Sequence, residues 1–315
     1  MTQPFWFGRA LDTPSEHGSV NVDGVDIHYV TWGQIGRPGI VLVHGSNAHL
    51  EWWRFVAPFL ADQFRVVALD SSGNGDSGWR ERYSGAVLAK EVQAVSQAAQ
   101  LGPKPFVVGH SFGGFVVLET GHHYGAELGG IIFMDFTTAP PEQYVEWGLR
   151  AEREGVTPGR ATRVYADRAA ALARFRYMPE QPTTHDCVRD YIATQSLRAV
   201  PGGWTWKFDP TLFDHLEMGI TQRDKFAGMA CRSAVVLGED SADEGAFWAE
   251  HMLAITGGVL PVFRIPGTHH HLMFDDPIAV AVAIKAIVLV WLAEDGRATL
   301  EQTLARTLET SPCRT

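Results

Sequence analysis

The chain has 315 residues, 45% hydrophobic and 20% charged, which places it in the globular range and excludes a disordered, collagen-like or coiled-coil protein. Its 26 basic and 36 acidic residues leave a formal net charge of −10, which opposes binding to phosphate backbones or anionic lipid, so neither nucleic acid nor membrane is an expected partner. The three cysteines, Cys187, Cys231 and Cys313, show no C-x-x-C spacing and cannot all pair, which argues against a disulfide framework or a zinc site and favours a reducing cytoplasm.

The N-terminal MTQPFWFGRALDTPSEHG has an aromatic patch but no basic region followed by an apolar one, so no signal peptide is expected. Gly18 to Asp23 and Val25 to Thr31 read as antiparallel strands joined at Asp23-Gly24, a hairpin dipeptide. Gly39 to His44 reads as a buried strand, Glu51 to Leu60 as a helix, Phe64 to Asp70 as a strand and Ala86 to Ala99 as a helix. Pro105 to Gly109 is the next strand, Gly114 to Tyr124 a helix, and Gly130 to Asp135 a strand. This alternation predicts a mainly parallel sheet covered by helices on both faces. It stops between Thr137 and Gly228, where arginine, proline and aromatic residues accumulate around helical fragments such as Arg160 to Tyr177 and no strand is evident. It resumes with a strand at Arg232 to Gly238, a helix near Glu244 to Ile255, a strand at Val259 to Ile265 and a helix at Pro277 to Leu292. The apolar run Ile278 to Ala293, interrupted by Lys285, reads as too short to span a bilayer. The expected division is therefore a core of residues 1–136 and 229–315 with an inserted helical cap of residues 137–228.

The strongest chemical signal is Gly109-His110-Ser111-Phe112-Gly113-Gly114, a G-x-S-x-G where a strand should turn sharply into a helix. A serine on such a turn needs small neighbours, projects its hydroxyl above the sheet, and lies beside the first amides of the helix. A hydroxyl attacks only when a base removes its proton, and Gly267-Thr-His269-His270-His271 follows the last strand at the same sheet edge. Adjacent side chains diverge and no further ligand spacing accompanies these histidines, so no metal is expected. The third member is a buried carboxylate that fixes the histidine tautomer; Asp135 and Asp240 both follow strands. Backbone amides of Ser46, after the strand ending at His44, and of Phe112 are the natural oxyanion donors. His44 is expected to brace its loop.

VLVHGSN with Trp52 or Trp53 after it, ALDSSGNGDSG, VVGHSFGG, IIFMD and PGTHHHLMFDDP together resemble the α/β-hydrolase superfamily over residues 20 to 293. The resemblance implies an α/β fold with a mostly parallel eight-stranded sheet, helices on both faces and a mainly helical cap insertion. Counting back from Pro277 selects His270 as the histidine. The commonest acid position, three after Gly238, holds Ser241, whereas GIIFMDFTTAPP resembles haloalkane dehalogenases that carry the acid before the cap. Asp135 is therefore favoured over Asp240. Dehalogenases and epoxide hydrolases of the superfamily use an aspartate nucleophile; Ser111 in its place implies attack on a carbonyl carbon.

The expected function is a serine hydrolase, of the carboxylic ester class, cleaving a small, largely apolar or aromatic ester, lactone or monoester through an acyl-enzyme, with no cofactor. Asn47, Trp147, Trp204 and Trp206 are expected to bind the substrate, and Arg160, Arg174 or Arg176 to hold a free carboxylate if it has one. Alternatives on the same fold are a C–C bond hydrolase of aromatic ring-fission products, a cofactor-free lyase or dioxygenase, and a ligand receptor. The small-molecule ester is the expected partner; a homodimer stays open.

Overall fold

The computed structural model describes residues 3–153 and 163–310. An N-terminal helix α1 (Phe5–Asp12) leads into the hairpin β1 (Glu16–Val22) and β2 (Val25–Trp32), then β3 (Gly39–Val43). A 3-10 turn and the short α2 (Ala57–Leu60) precede β4 (Arg65–Leu69); β5 (Tyr83–Ser84), α3 (Gly85–Ala98), β6 (Phe106–His110), α4 (Phe112–Tyr124) and β7 (Gly130–Met134) follow. Between β7 and the next strand of the main sheet come α5 (Pro141–Arg153), α6 (Arg168–Leu172), α7 (Asp186–Gln195), β8 (Leu197–Val200), β9 (Gly203–Trp206), β10 (Leu216–Glu217) and α8 (Gln222–Ala227). The chain ends with β11 (Ser233–Gly238), α9 (Ala249–Ile255), β12 (Val262–Ile265), α10 (Leu272–Asp275) and α11 (Pro277–Thr310).

Eight strands form one sheet in the order β1-β2-β4-β3-β6-β7-β11-β12. The β1–β2 and β2–β4 pairs are antiparallel and the rest parallel. Every residue of β3, β4, β6 and β7 is buried, as continuous apolar strands covered on both faces must be. Two apolar cores result. One joins Ile40, Leu42, Val66 and Val108 to α11, and the other joins Val41, Val43, Val107 and Ile131 to α3 and α4. The chain leaves β3 toward β4 on one side and β6 toward β7 on the other. Their carboxyl ends thus flank a switch point, where open α/β sheets form a crevice.

The inserted segment departs from the expectation of no strands. Beside its helices it contains the antiparallel hairpin β8–β9, turned at Pro201-Gly202 with Gly202 at positive φ, and β10, which pairs with β5. Arg160 lies outside the described residues. The last helix also runs longer than expected. Its stretch Pro277–Thr299 is long and apolar enough to cross a membrane by length and composition. Here Val280, Ile284, Ile287, Val288 and Trp291 bury one face at helical spacing against the sheet, with Trp291 stacked on Phe106. Aromatic burial also explains α1, where Phe7 stacks on Phe55 at 4.8 Å and Trp6 meets His185 edge-on.

Candidate active site

Ser111 joins β6 to α4 with φ 54° and ψ −123°, a region that L-residues rarely adopt. The bend is held by its own amide, which donates to Met134 O at 3.0 Å, and by its carbonyl, which accepts from Gly114 N at 2.7 Å. The flanking glycines are a steric requirement. A Cβ on Gly113 would stand 2.5 Å from Val43 O and 2.6 Å from His44 O, so α4 approaches β3 only because that atom is missing. Phe112 supplies the first amide of α4, at the positive end of its dipole.

The loop after β3 is the facing wall. His44 is buried, and burial holds its imidazole below the usual range, so it is neutral at pH 7. Its Nε2 accepts from Ser71 N at 3.1 Å, which leaves Nδ1 to donate to Gly45 O at 2.8 Å. Gly45 packs against the elbow so closely that a Cβ there would be 3.2 Å from Ser111 Cβ. Ser46 and Asn47 follow, exposed, with Asn47 at φ 51°, a left-handed conformation that Asn tolerates. The Ser46 amide thus belongs to a braced loop beside Ser111.

Asp135 closes β7 in a left-handed conformation, φ 45°, and is buried. Its amide donates to Val236 O at 2.8 Å. Oδ1 accepts from Gly238 N at 2.9 Å, while Oδ2 accepts from Ser241 Oγ at 2.6 Å and meets His270 Nδ1 at 2.7 Å. Three donors on one carboxylate pin its plane. Asp240 is exposed and sits away from this contact, its amide donating to Thr268 O at 2.9 Å. Asp243 Oδ2 lies 4.0 Å from His270 Nδ1, and Oδ1 of the same carboxylate caps Gly245 N at 2.8 Å. The structure therefore brings Asp135, not Asp240, to His270. Sequence reasoning missed Ser241. The signal was present: it occupies the commonest acid position, and its hydroxyl bonds the carboxylate that arrives from the neighbouring strand.

The three consecutive histidines do not all diverge. His269 turns to Asp275, through Nδ1 at 3.2 Å and its amide at 2.7 Å. His270 and His271 instead converge with His110, and one nitrogen of each lies within 4.8 Å of the others. All three are buried. Burial and the neighbouring imidazoles push His110 and His271 well below the usual histidine range, so both are neutral at pH 7. They act as packed rings: His271 meets Trp52 edge-on at 5.2 Å and lies 5.5 Å from Tyr177. His110 Nε2 donates to His270 O at 2.8 Å, which ties the histidine loop to the residue before Ser111. Among the described residues no hydrogen bond links Ser111 Oγ directly to His270, a contact that often closes only when substrate is bound.

A cavity of about 360 Å³ is lined by Ser46, Asn47, His49 and Trp52 and, from the inserted segment, by Phe175, Trp206, Phe208, Arg174, Arg176 and Lys207. Of the aromatics expected to touch substrate, Trp206 is in this wall and the other two are elsewhere. Trp147 Nε1 donates to Glu244 Oε2 at 2.7 Å, fastening α5 to the loop after β11. Trp204 lies beside the Arg168 guanidinium, 5.7 Å from it, on the hairpin. Side chains alternate along β9, and the register Leu197↔Trp206 and Ala199↔Trp204 fixes both tryptophans. That shared parity does not bring Trp204 to the cavity.

The sequence matches the model of the Alpha/beta hydrolase family over residues 40–284. The chain belongs to the alpha/beta hydrolase family. It is 38% identical over 112 residues to the soluble epoxide hydrolase of Corynebacterium sp. (strain C12), covering 34% of this chain and 36% of that protein. It is 31% identical over 117 residues to the pimeloyl-[acyl-carrier protein] methyl ester esterase of Edwardsiella ictaluri (strain 93-146), covering 37% and 43%. The matches thus span well under half of these relatives. In structure this family member is similar to the thioesterase domain from the curacin biosynthetic pathway, with TM-score 0.70 and 20% identity over 88% of this chain and all of that one, a likeness of fold.

Proposed function

We propose that this alpha/beta hydrolase family member is a serine hydrolase that cleaves carboxylic esters of small, largely apolar or aromatic groups. The observation that carries the reading is the 2.7 Å contact between His270 Nδ1 and Asp135 Oδ2, on the sheet edge where Ser111 occupies its strained turn. Asp135 fixes the proton on Nδ1, so Nε2 is the free base. In this mechanism His270 Nε2 takes the Ser111 proton as Oγ attacks the ester carbonyl, and the charge that develops on the imidazolium is offset by Asp135. The Ser46 and Phe112 amides receive the oxyanion, His270 protonates the leaving alcohol, and water hydrolyses the acyl-enzyme with the same roles reversed. The esterase among the relatives supports the same bond type. The epoxide hydrolase relative shares the scaffold, but an epoxide offers no carbonyl to a serine.

Ser111→Ala is expected to lower turnover of p-nitrophenyl butyrate by about 10⁴-fold or more while leaving the melting temperature unchanged or raised, since Ala removes no packing. Retained turnover in a folded variant would remove Ser111 from the mechanism.

A further inference from the structure

We infer that the ester taken by this site carries a carboxylate at a distance from the bond that is cut; the inference rests on the serine-hydrolase reading above. The cavity lined by Ser46 and Asn47 also has three cations in its wall, Arg174, Arg176 and Lys207, and none of its lining residues is Asp or Glu. In a chain with ten more acidic than basic residues, three cations without an acid in one wall are a local inversion of the protein's own field.

The engagements of these cations leave charge to spare. Lys207 Nζ bonds Asp76 Oδ2 at 2.9 Å, so part of its charge is compensated. Arg176 Nη1 donates to Ala173 O at 3.1 Å and Phe175 O at 2.6 Å, neutral acceptors that orient the guanidinium without neutralising it. Among the described residues Arg174 forms no ion pair. His49, in the same wall, adds no charge: burial holds it at about 4, and its Nε2 is engaged with Ser196 Oγ at 2.8 Å. The same wall carries Trp52, Phe175, Met178, Trp206 and Phe208, an apolar surface. A ligand that satisfies the whole cavity therefore combines an ester, an apolar or aromatic body and a planar anion. A guanidinium matches a carboxylate through two parallel N–H donors.

The test compares esters matched in length. One pair is mono-p-nitrophenyl adipate against p-nitrophenyl hexanoate, with the carboxylate on the acyl half. The second is 4-carboxyphenyl hexanoate against phenyl hexanoate, with it on the alcohol half. The wild-type protein is expected to favour the charged member of one pair by about tenfold or more in kcat/KM. Arg174→Gln/Arg176→Gln is expected to abolish that preference by raising KM for the charged ester to that of its neutral match, and 0.5 M salt to weaken it. No preference in either pair, or a preference that survives the double substitution, overturns the inference while Ser111-dependent turnover of the neutral esters keeps the underlying reading. Turnover that persists in Ser111→Ala overturns the reading itself.

Discussion

Replacing Asp135 by Asn changes one oxygen into an amide and therefore isolates what the carboxylate does. Its three partners are all donors: the Gly238 amide on Oδ1, and the Ser241 hydroxyl and His270 Nδ1 on Oδ2. Asn offers one acceptor oxygen and one NH₂ group, so one side must mismatch. If the oxygen stays on Gly238, the NH₂ faces His270 and Nδ1 must accept, which moves the ring proton to Nε2, the atom needed bare to deprotonate Ser111. If the amide turns, NH₂ meets a buried backbone N–H, and an unsatisfied buried donor costs about 1–3 kcal/mol. Either way the imidazolium loses its counter-charge. In the proposed mechanism the expected loss in kcat is about 10³- to 10⁴-fold, or roughly 4–5.5 kcal/mol of transition-state stabilisation, with KM changed only a few-fold. Steady-state kinetics with p-nitrophenyl butyrate, with Asp240→Asn and Asp243→Asn in parallel, measure it. Asp240→Asn is expected to stay within a few-fold of wild type, and so is Asp243→Asn, since Asn keeps the Oδ1 acceptor that caps Gly245 N. If Asp240→Asn suffers the larger rate loss, the assignment of Asp135 is wrong.

Stability is expected to fall with acid well above the pH at which carboxylates titrate. His49 is buried neutral, its pKa held at about 4 against the ordinary histidine value of 6.5, so the unfolded chain binds the extra proton first. That contribution is fully present above pH 7, is lost as pH falls, and reaches about 2 kcal/mol of lost stability at pH 5 from His49 alone. His44, His110 and His271, depressed by burial too, act in the same direction; denaturant midpoints that are flat between pH 7.5 and 5 would contradict this. Gly113→Ala forces a methyl against Val43 O and His44 O, so a loss of about 1–3 kcal/mol in stability is expected, with a drop in kcat as the loop proposed to hold the oxyanion is displaced; an active, equally stable variant would show the approach to be slack. Trp206→Ala is expected to raise KM for aromatic esters and Trp204→Ala to leave it unchanged, since only Trp206 lines the cavity; equal effects in kinetics on phenyl esters would argue that the hairpin acts as a unit.

The parts of this molecule that were legible in its sequence are those whose residue type is dictated locally. A buried parallel strand needs an apolar run, and a strand-to-helix elbow needs glycine beside serine, so β3, β4, β6, β7 and the Ser111 turn could be read without knowing their neighbours. The missed elements owe their structure to partners distant in sequence. Phe5–Asp12 is too short to hold itself as a helix and is fixed by Phe55, Tyr191 and His185. The hairpin β8–β9 showed half of its signal, the alternation of Trp204, Trp206 and Phe208, but its partner strand Leu197–Val200 has no pattern until Trp206 pairs with Leu197. The histidine run was misjudged for a related reason. Side chains next to each other in sequence do diverge on a regular element, but His271 closes the loop in an irregular conformation, φ −92° and ψ 63°, and returns toward His110.

The position of the proposed acid follows from the sheet order. β7 and β11 are paired neighbours, in register from Ser233↔Ile131 to Val236↔Met134, so the residue after β7 and the turn after β11 emerge side by side at the same edge. A carboxylate from either strand can therefore reach Nδ1 of a histidine carried by the loop after β12, the next strand across. The contest between Asp135 and Asp240 could not be resolved by spacing alone, because both spacings deliver a side chain to one place. Hydrogen bonding separates them. Asp135 at φ 45° turns its carboxylate back across the sheet, where the Gly238 amide receives Oδ1 and Ser241 fills the position an acid would otherwise hold. A second carboxylate at 241 would place two like charges on one imidazole, and a hydroxyl supplies a donor instead. In that sense Ser241 and Asp135 are one hydrogen-bonded feature divided between two strands.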